Sequence, residues 1–129
     1  MAIMAVIATL GLFISNDFYK TYNFNSERDM LVNILQKARS QSLANINESK
    51  HGVYFATSSY IIFQGNNYSS RNSTYDENIS ASQAISRSGL NEVVFEQLTA
   101  QPNATGTISL SDGVRSSQIF IENEGRINW

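Results

Sequence analysis

The residues with chemistry to offer are few and scattered. His51 is the one histidine of the chain. A general base needs a second group to orient it and a third within hydrogen-bond reach to act on. The stretch "NESKHGVYF" around His51 supplies no such pair, so a surface or capping role beside Gly52 is expected. Asp76, Glu77 and Asp112 are the carboxylates that could gather around calcium. Their spacing matches no EF-hand loop and they bring too few oxygen ligands, so a solvated loop is the expectation. There is no cysteine, which excludes disulfides, iron–sulfur clusters and zinc–thiolate sites. Arg39 is the basic residue placed to reach a carboxylate, a sheet carbonyl or a neighbouring molecule. Asn-x-Ser/Thr triplets at Asn47, Asn67, Asn72, Asn78 and Asn103 mark polar, exposed segments. No triad, dyad or metal cluster can be assembled. The residues predict no enzyme, no catalytic residue, no cofactor and no metal.

The chain of 129 residues suits one domain with one core. Charged residues are only 16% and the net charge is −2, so no basic patch exists to neutralise phosphates and nucleic acid is not expected as a primary partner. Polarity comes instead from Ser, Asn and Thr.

The elements that would position these groups begin with "MAIMAVIATLGLFIS". Met1 to Ile14 carries no charge, and as a helix spans about 21 Å against about 30 Å of bilayer hydrocarbon. It has no positive n-region, so it is not a secretory signal. A buried core helix or the later part of a longer apolar helix remain open. "SNDFYKTYNFNS", Ser15 to Ser26, is helix-poor, and its Phe18, Tyr19, Tyr22 and Phe24 suit a membrane interface. The clearest helix follows, with Leu31, Ile34, Leu35, Ala38, Ser42 and Ile46 forming one apolar stripe. Ser26 and Asp29 could cap a fresh start, and Gly52 could end it at positive φ.

From Gly52 the period becomes two. "GVYFAT" and "SYIIFQG" read as a hairpin, "NEVVFEQL" as a third strand, and "GTISLS" and "SQIFIEN" as a pair turned at Asp112-Gly113. Ile108, Leu110, Ile119 and Ile121 should point inward, and "RINW" closes the chain with Ile127 and Trp129. Asn66 to Gly89 reads as a long surface loop with one short helical turn near Ser82 to Ile85. The fold class is therefore α+β. A long N-terminal helix packs by its amphipathic second half on an antiparallel meander, through Leu31, Ile34, Leu35, Ala38 and Ile46. Residues 1–25 form the apolar and interfacial segment and 26–129 the globular domain. A continuous helix to Asn47 would be about 70 Å long, so its first part must protrude and meet lipid or other copies.

This layout resembles the type IV pilins and pseudopilins, nearest the H-type pseudopilins and minor pilins. "AIMAVIATLGLF" resembles the second half of the family's apolar helix, and "LVNILQKARSQSLANINESKHGVYF" its amphipathic helix running into the first strand. "FEQLTAQPNATGTISLSDG" and "IFIENEGRINW" resemble its closing strands. The family's basic leader, Gly cleavage site and early Glu are not in this sequence; the resemblance favours their being encoded upstream of Met1, the alternative being a family member that prepilin peptidase does not process.

What the resemblance implies is a structural subunit of a type IV pilus or pseudopilus. It would wait in the plasma membrane as a single-pass helix, then join an extracellular filament on a bacterial surface. Its partners would be copies of itself or sister pilins and a pilus or secretion assembly platform. Ile3, Met4, Val6, Ile7, Leu10, Leu12, Phe13 and Ile14 would form the membrane and filament-core helix. The strip Ala2, Ala5, Ala8 and Gly11 would aid dense bundling only weakly. The competing expectation is a membrane-tethered binding module or tip adhesin that uses the 66–89 loop.

Overall fold

The computed structural model describes the backbone of residues 2–129 and the side chains of residues 18–129. One helix, α1 (Ala2–Leu43), is followed by eight strands. These are β1 (His51–Phe55), β2 (Ser59–Gln64), β3 (Glu77–Ser80), β4 (Ser86–Gly89), β5 (Glu92–Phe95), β6 (Gly106–Ser111), β7 (Ser116–Ile121) and β8 (Ile127–Asn128). The strands make two antiparallel four-stranded sheets, ordered β3-β2-β1-β5 and β4-β6-β7-β8. The expected single meander is thus two sheets: β1-β2-β3 and β6-β7-β8 each run as a plain meander, with β5 added beside β1 and β4 beside β6.

The stripe on α1 explains how the helix is held. Phe24, Leu31, Ile34, Leu35, Ala38 and Ser42 are all buried, spaced so that they share one face. They meet Val53, Tyr60, Ile62, Val93 and Phe95 of the first sheet and Ile108, Leu110, Ile119, Ile121 and Ile127 of the second, in one core. Leu31 and Leu35 are wholly buried, worth about 1.5–3 kcal/mol each in transfer free energy.

Ile46 departs from expectation. The helix stops at Leu43, and Ile46 falls in a single 3-10 turn where it is 43% exposed. The stop is made by Asn45, Asn47 and Glu48, at φ 54, 54 and 50. Asparagine tolerates this left-handed region best after glycine, and three such residues in four cannot continue a right-handed helix. Gly52, expected to serve this purpose, lies inside β1 with no positive φ. It is small for a different reason: a Cβ there would lie 2.6 Å from Val93 O and 2.8 Å from Phe63 Cζ. No fresh helix start occurs at Ser26 either; Phe18 to Ser26, read as helix-poor, is helical and continuous with the packed half.

The segment 66–89 is more ordered than expected. It holds a 3-10 turn at Ser73–Tyr75 capped by Asn72, and then β3 and β4. No helical turn forms at Ser82 to Ile85. Its first part covers the outer face of the first sheet. The Tyr68 ring stacks on Tyr54 at 3.8 Å between centroids and meets Phe63 edge-on at 5.7 Å. The Arg71 guanidinium lies 3.8 Å over the same ring. That cover explains why β2 is buried on both faces, as strands with continuous apolar runs are. At the other end of the chain Ile127 is buried but Trp129 is 59% exposed.

Candidate functional site

The place where α1 meets the domain is defined by four aromatic residues. Phe18, Tyr19 and Tyr22 are 71%, 67% and 63% exposed, whereas Phe24 is 3% exposed. Packing against the domain therefore begins within two residues. From Phe18 to Leu43 the helix is about 39 Å long at about 1.5 Å per residue. Phe24, expected among the interfacial aromatics, belongs to the core instead. The side chains of Ile3, Met4, Val6, Ile7, Leu10, Leu12, Phe13 and Ile14 lie outside the described residues. Among the described residues no helix is long and apolar enough to cross a membrane.

Just above this joint a polar cluster crosses the core. Glu27 sits on the apolar stripe, between Phe24 and Leu31, and is buried. Its Oε1 accepts from Tyr60 Oη at 2.7 Å and from the Ser82 backbone N–H at 3.0 Å. Arg87 donates to Tyr60 Oη at 3.3 Å, to Thr57 O at 3.0 Å and to Ala56 O. Burial, then the Glu27 hydrogen bond and charge, push the Tyr60 phenol far above its ordinary value; Arg87 opposes them. A neutral phenol that donates to a carboxylate is thereby fixed. The cluster joins α1, β2 and β4, and so both sheets, to the helix. Sequence reasoning passed over Glu27; a carboxylate at a stripe position was the available signal.

Arg87 also borders a cleft of about 540 Å³ where the sheets part, with Phe55, Leu90 and Ile108 among its apolar lining and Gln83 and Asn91 among its polar lining.

At the far end of the helix, Ser42 makes a second clasp. It is fully buried. Its Oγ accepts from His51 N–H at 2.9 Å and lies 3.0 Å from Phe95 O and 3.3 Å from His51 O, either of which it can donate to. Its own carbonyl accepts from Leu98 N–H at 2.9 Å. One residue thus ties α1 to β1, β5 and the following loop. His51, expected at the surface, is 2% exposed, because β1 turns that side chain to the face shared with Val53 and the helix. Neither ring nitrogen has a hydrogen-bond partner. Burial lowers the pKa of the ring below its ordinary 6.5, against opposing effects from the Ser49 backbone and the Glu77 charge.

The three carboxylates weighed for calcium are separated. Asp76 pairs with Arg71 at 2.8 Å, Glu77 with Lys37 at 2.6 Å, and Asp112 with Arg115 at 3.1 Å. No cluster able to hold a metal ion occurs among the described residues. Asp112 is a turn residue: it accepts from the Arg115 and Val114 backbone N–H groups, which hold its carboxyl below the usual range. Arg39 lines a small hollow of about 280 Å³ with Gln36, Glu124 and Arg126, and its Nε is buried without a hydrogen-bond partner. Glu124 and the Glu122 that holds Arg126 offset the two guanidinium charges there.

No protein-family model matches the chain, no curated protein matches it, and no solved structure matches it.

Proposed function

We propose that the chain is a structural subunit of a type IV pilin-like filament and that its mechanism is physical. The single observation that carries this reading is the abrupt change along α1. Three large aromatics are about two-thirds exposed up to Tyr22, and from Phe24 onward one face of the helix is buried. The exposed stretch leads back toward the uncharged run Met1 to Ile14. Isolated aromatics on a surface need no explanation, but three in five residues on a helix that leads into an apolar run call for a covering partner.

In this reading the apolar run sits in the plasma membrane, with the tyrosines at the headgroup level, where their rings and hydroxyls match the interface. An assembly platform then moves it from lipid to the centre of a fibre. Lipid tails and packed apolar helices are similar solvents, so the transfer is near neutral, and close packing among copies or sister subunits favours the fibre. The domain supplies a rigid head: the Glu27 and Ser42 clasps fix α1 at two points along its packed half.

The test is Gly11→Asp or Ala8→Asp in cells that make the filament. Incorporation into filaments should be abolished while the domain keeps its fold by circular dichroism. Filaments that still contain the charged variant would sink the reading. The competing reading, a tethered binding module, then gains. It cannot be tested by deleting residues 70–88, since that would remove β3 and β4. Tyr75→Ala, at a half-exposed site on the Ser73–Tyr75 turn, is the milder probe: loss of surface attachment with normal assembly would favour a binding role.

A further inference from the structure

We propose that His51 is a proton-operated latch on the joint between α1 and the first sheet: taking up a proton drives its ring out of the core and releases the end of the helix. This goes beyond the filament reading and does not depend on it.

The geometry carries the idea. The imidazole is 2% exposed, and both nitrogens lack hydrogen-bond partners. A neutral ring in that position has already left one donor and one acceptor unmet. An imidazolium would carry a buried charge and two donors without a well-placed acceptor; the Ser49 backbone carbonyl favours the charged form but does not outweigh burial. The same residue's backbone N–H is what Ser42 Oγ grips, and Ser42 in turn reaches Phe95 O. Any movement that exposes the ring therefore pulls on the contact that seats the last turn of α1 between β1 and β5.

The charged groups around the ring do not rescue its protonated form. Glu77 of β3 is the one carboxylate that favours protonation, and Lys37 of α1 already holds it at 2.6 Å. Lys50, the residue before His51, pairs at 2.8 Å with Glu96, the residue after Phe95. Gln64, paired across from His51 in β2, is neutral. Burial prevails, and the ring's pKa is lowered. The sign follows. The unfolded chain takes up a proton near 6.5 and the folded one only below it. Stability is full above 6.5 and is lost as pH falls from there through the folded value. The second sheet holds no histidine, so its pairing should not respond over this range.

The experiment uses the full chain in detergent micelles. His51 being the only histidine, its ring resonances can be followed without ambiguity by NMR from pH 8 to 4.5. The midpoint should fall clearly below 6.5, and Glu77→Gln should lower it further. Amide exchange at pH 7 and pH 5, corrected for intrinsic rates, should show protection in β1 and β5 reduced about tenfold or more. Ile108–Leu110 and Ile119–Ile121 of the second sheet should keep theirs. His51→Gln and His51→Phe should remove the difference between the two pH values. Titration at the ordinary value with no change in β1 protection would overturn the latch. So would equal loss of protection in both sheets, or a pH response that survives in either variant. Should neither variant fold, the wild-type titration and exchange pattern decide alone.

Discussion

Replacing Ser42 with alanine removes a single oxygen and nothing else from a fully buried site. The helix itself should not object, since alanine is the best helix former. All of the loss therefore falls on the hydroxyl's contacts. Two matter: acceptance from His51 N–H at 2.9 Å and donation toward Phe95 O at 3.0 Å. Each is a main-chain group in the core, and no water-sized side-chain rearrangement can replace an atom lost between them. A hydrogen bond is worth about 0.5–1.5 kcal/mol net, and leaving a buried partner unmet costs about 1–3 kcal/mol. With two contacts that share one atom, a loss of about 2–3 kcal/mol is expected. For a domain of this size that corresponds to roughly 8–12 °C in Tm, at about 4 °C per kcal/mol. The assay is urea unfolding of wild type and variant followed by circular dichroism, with m unchanged, so that the shift in midpoint reports stability alone. Ser40→Ala, two residues away on the exposed face, is the control and should be neutral or slightly stabilising. If Ser42→Ala costs less than about 0.5 kcal/mol, the hydroxyl is not the clasp described here, and the seating of α1 must rest on apolar contacts alone.

Other outcomes follow from the same geometry. Tyr60→Phe deprives buried Glu27 of its 2.7 Å donor and should cost about 1.5–3 kcal/mol, read by the same urea assay. In the wild type, ultraviolet titration should show the Tyr60 phenol ionising far above the ordinary tyrosine value, since burial and Glu27 both oppose its charge. Gly89→Ala would place a Cβ 2.0 Å from Thr107 O at φ +104, and should destabilise by about 3 kcal/mol and loosen β4 in amide exchange. Asp112 has its carboxyl depressed by the Arg115 and Val114 N–H groups. Its contribution to the turn is present above the usual carboxylate range and is lost as pH falls through the folded value. Exchange at Val114 and Arg115 should therefore quicken in acid, and Asp112→Ala should show that faster exchange at neutral pH.

The helical stripe was legible because its period is a property of the chain. Leu31, Ile34, Leu35, Ala38 and Ser42 share a face in any α-helix, whatever covers them. Only Ile46 failed, because Asn45 and Asn47 took a backbone conformation that their composition permits but does not demand. Strands β6 and β7 were equally plain, since a sheet with one covered face writes its alternation into Ile108, Leu110, Ile119 and Ile121. The runs "IIF" and "VVF" do not alternate, and that carried a message about two covered faces without saying what the second cover was. For "IIF" it proved to be Tyr68 with Arg71 over it, from a stretch too polar to read as packing.

Sequence alone thus determined the class of the fold, the face of α1 that packs and the inward residues of the alternating strands, because local periodicity dictates all three. Tertiary structure decided the division into two sheets, the pairing of β3 and β4, and the partners of every polar group that matters here. Glu27 meets Tyr60 across 33 residues of chain, Arg87 meets Tyr60 across 27, and Ser42 meets Phe95 across 53. Hydrogen bonds over such separations leave no periodic trace; they exist only once burial has brought the segments together and made an unmet donor too costly to leave.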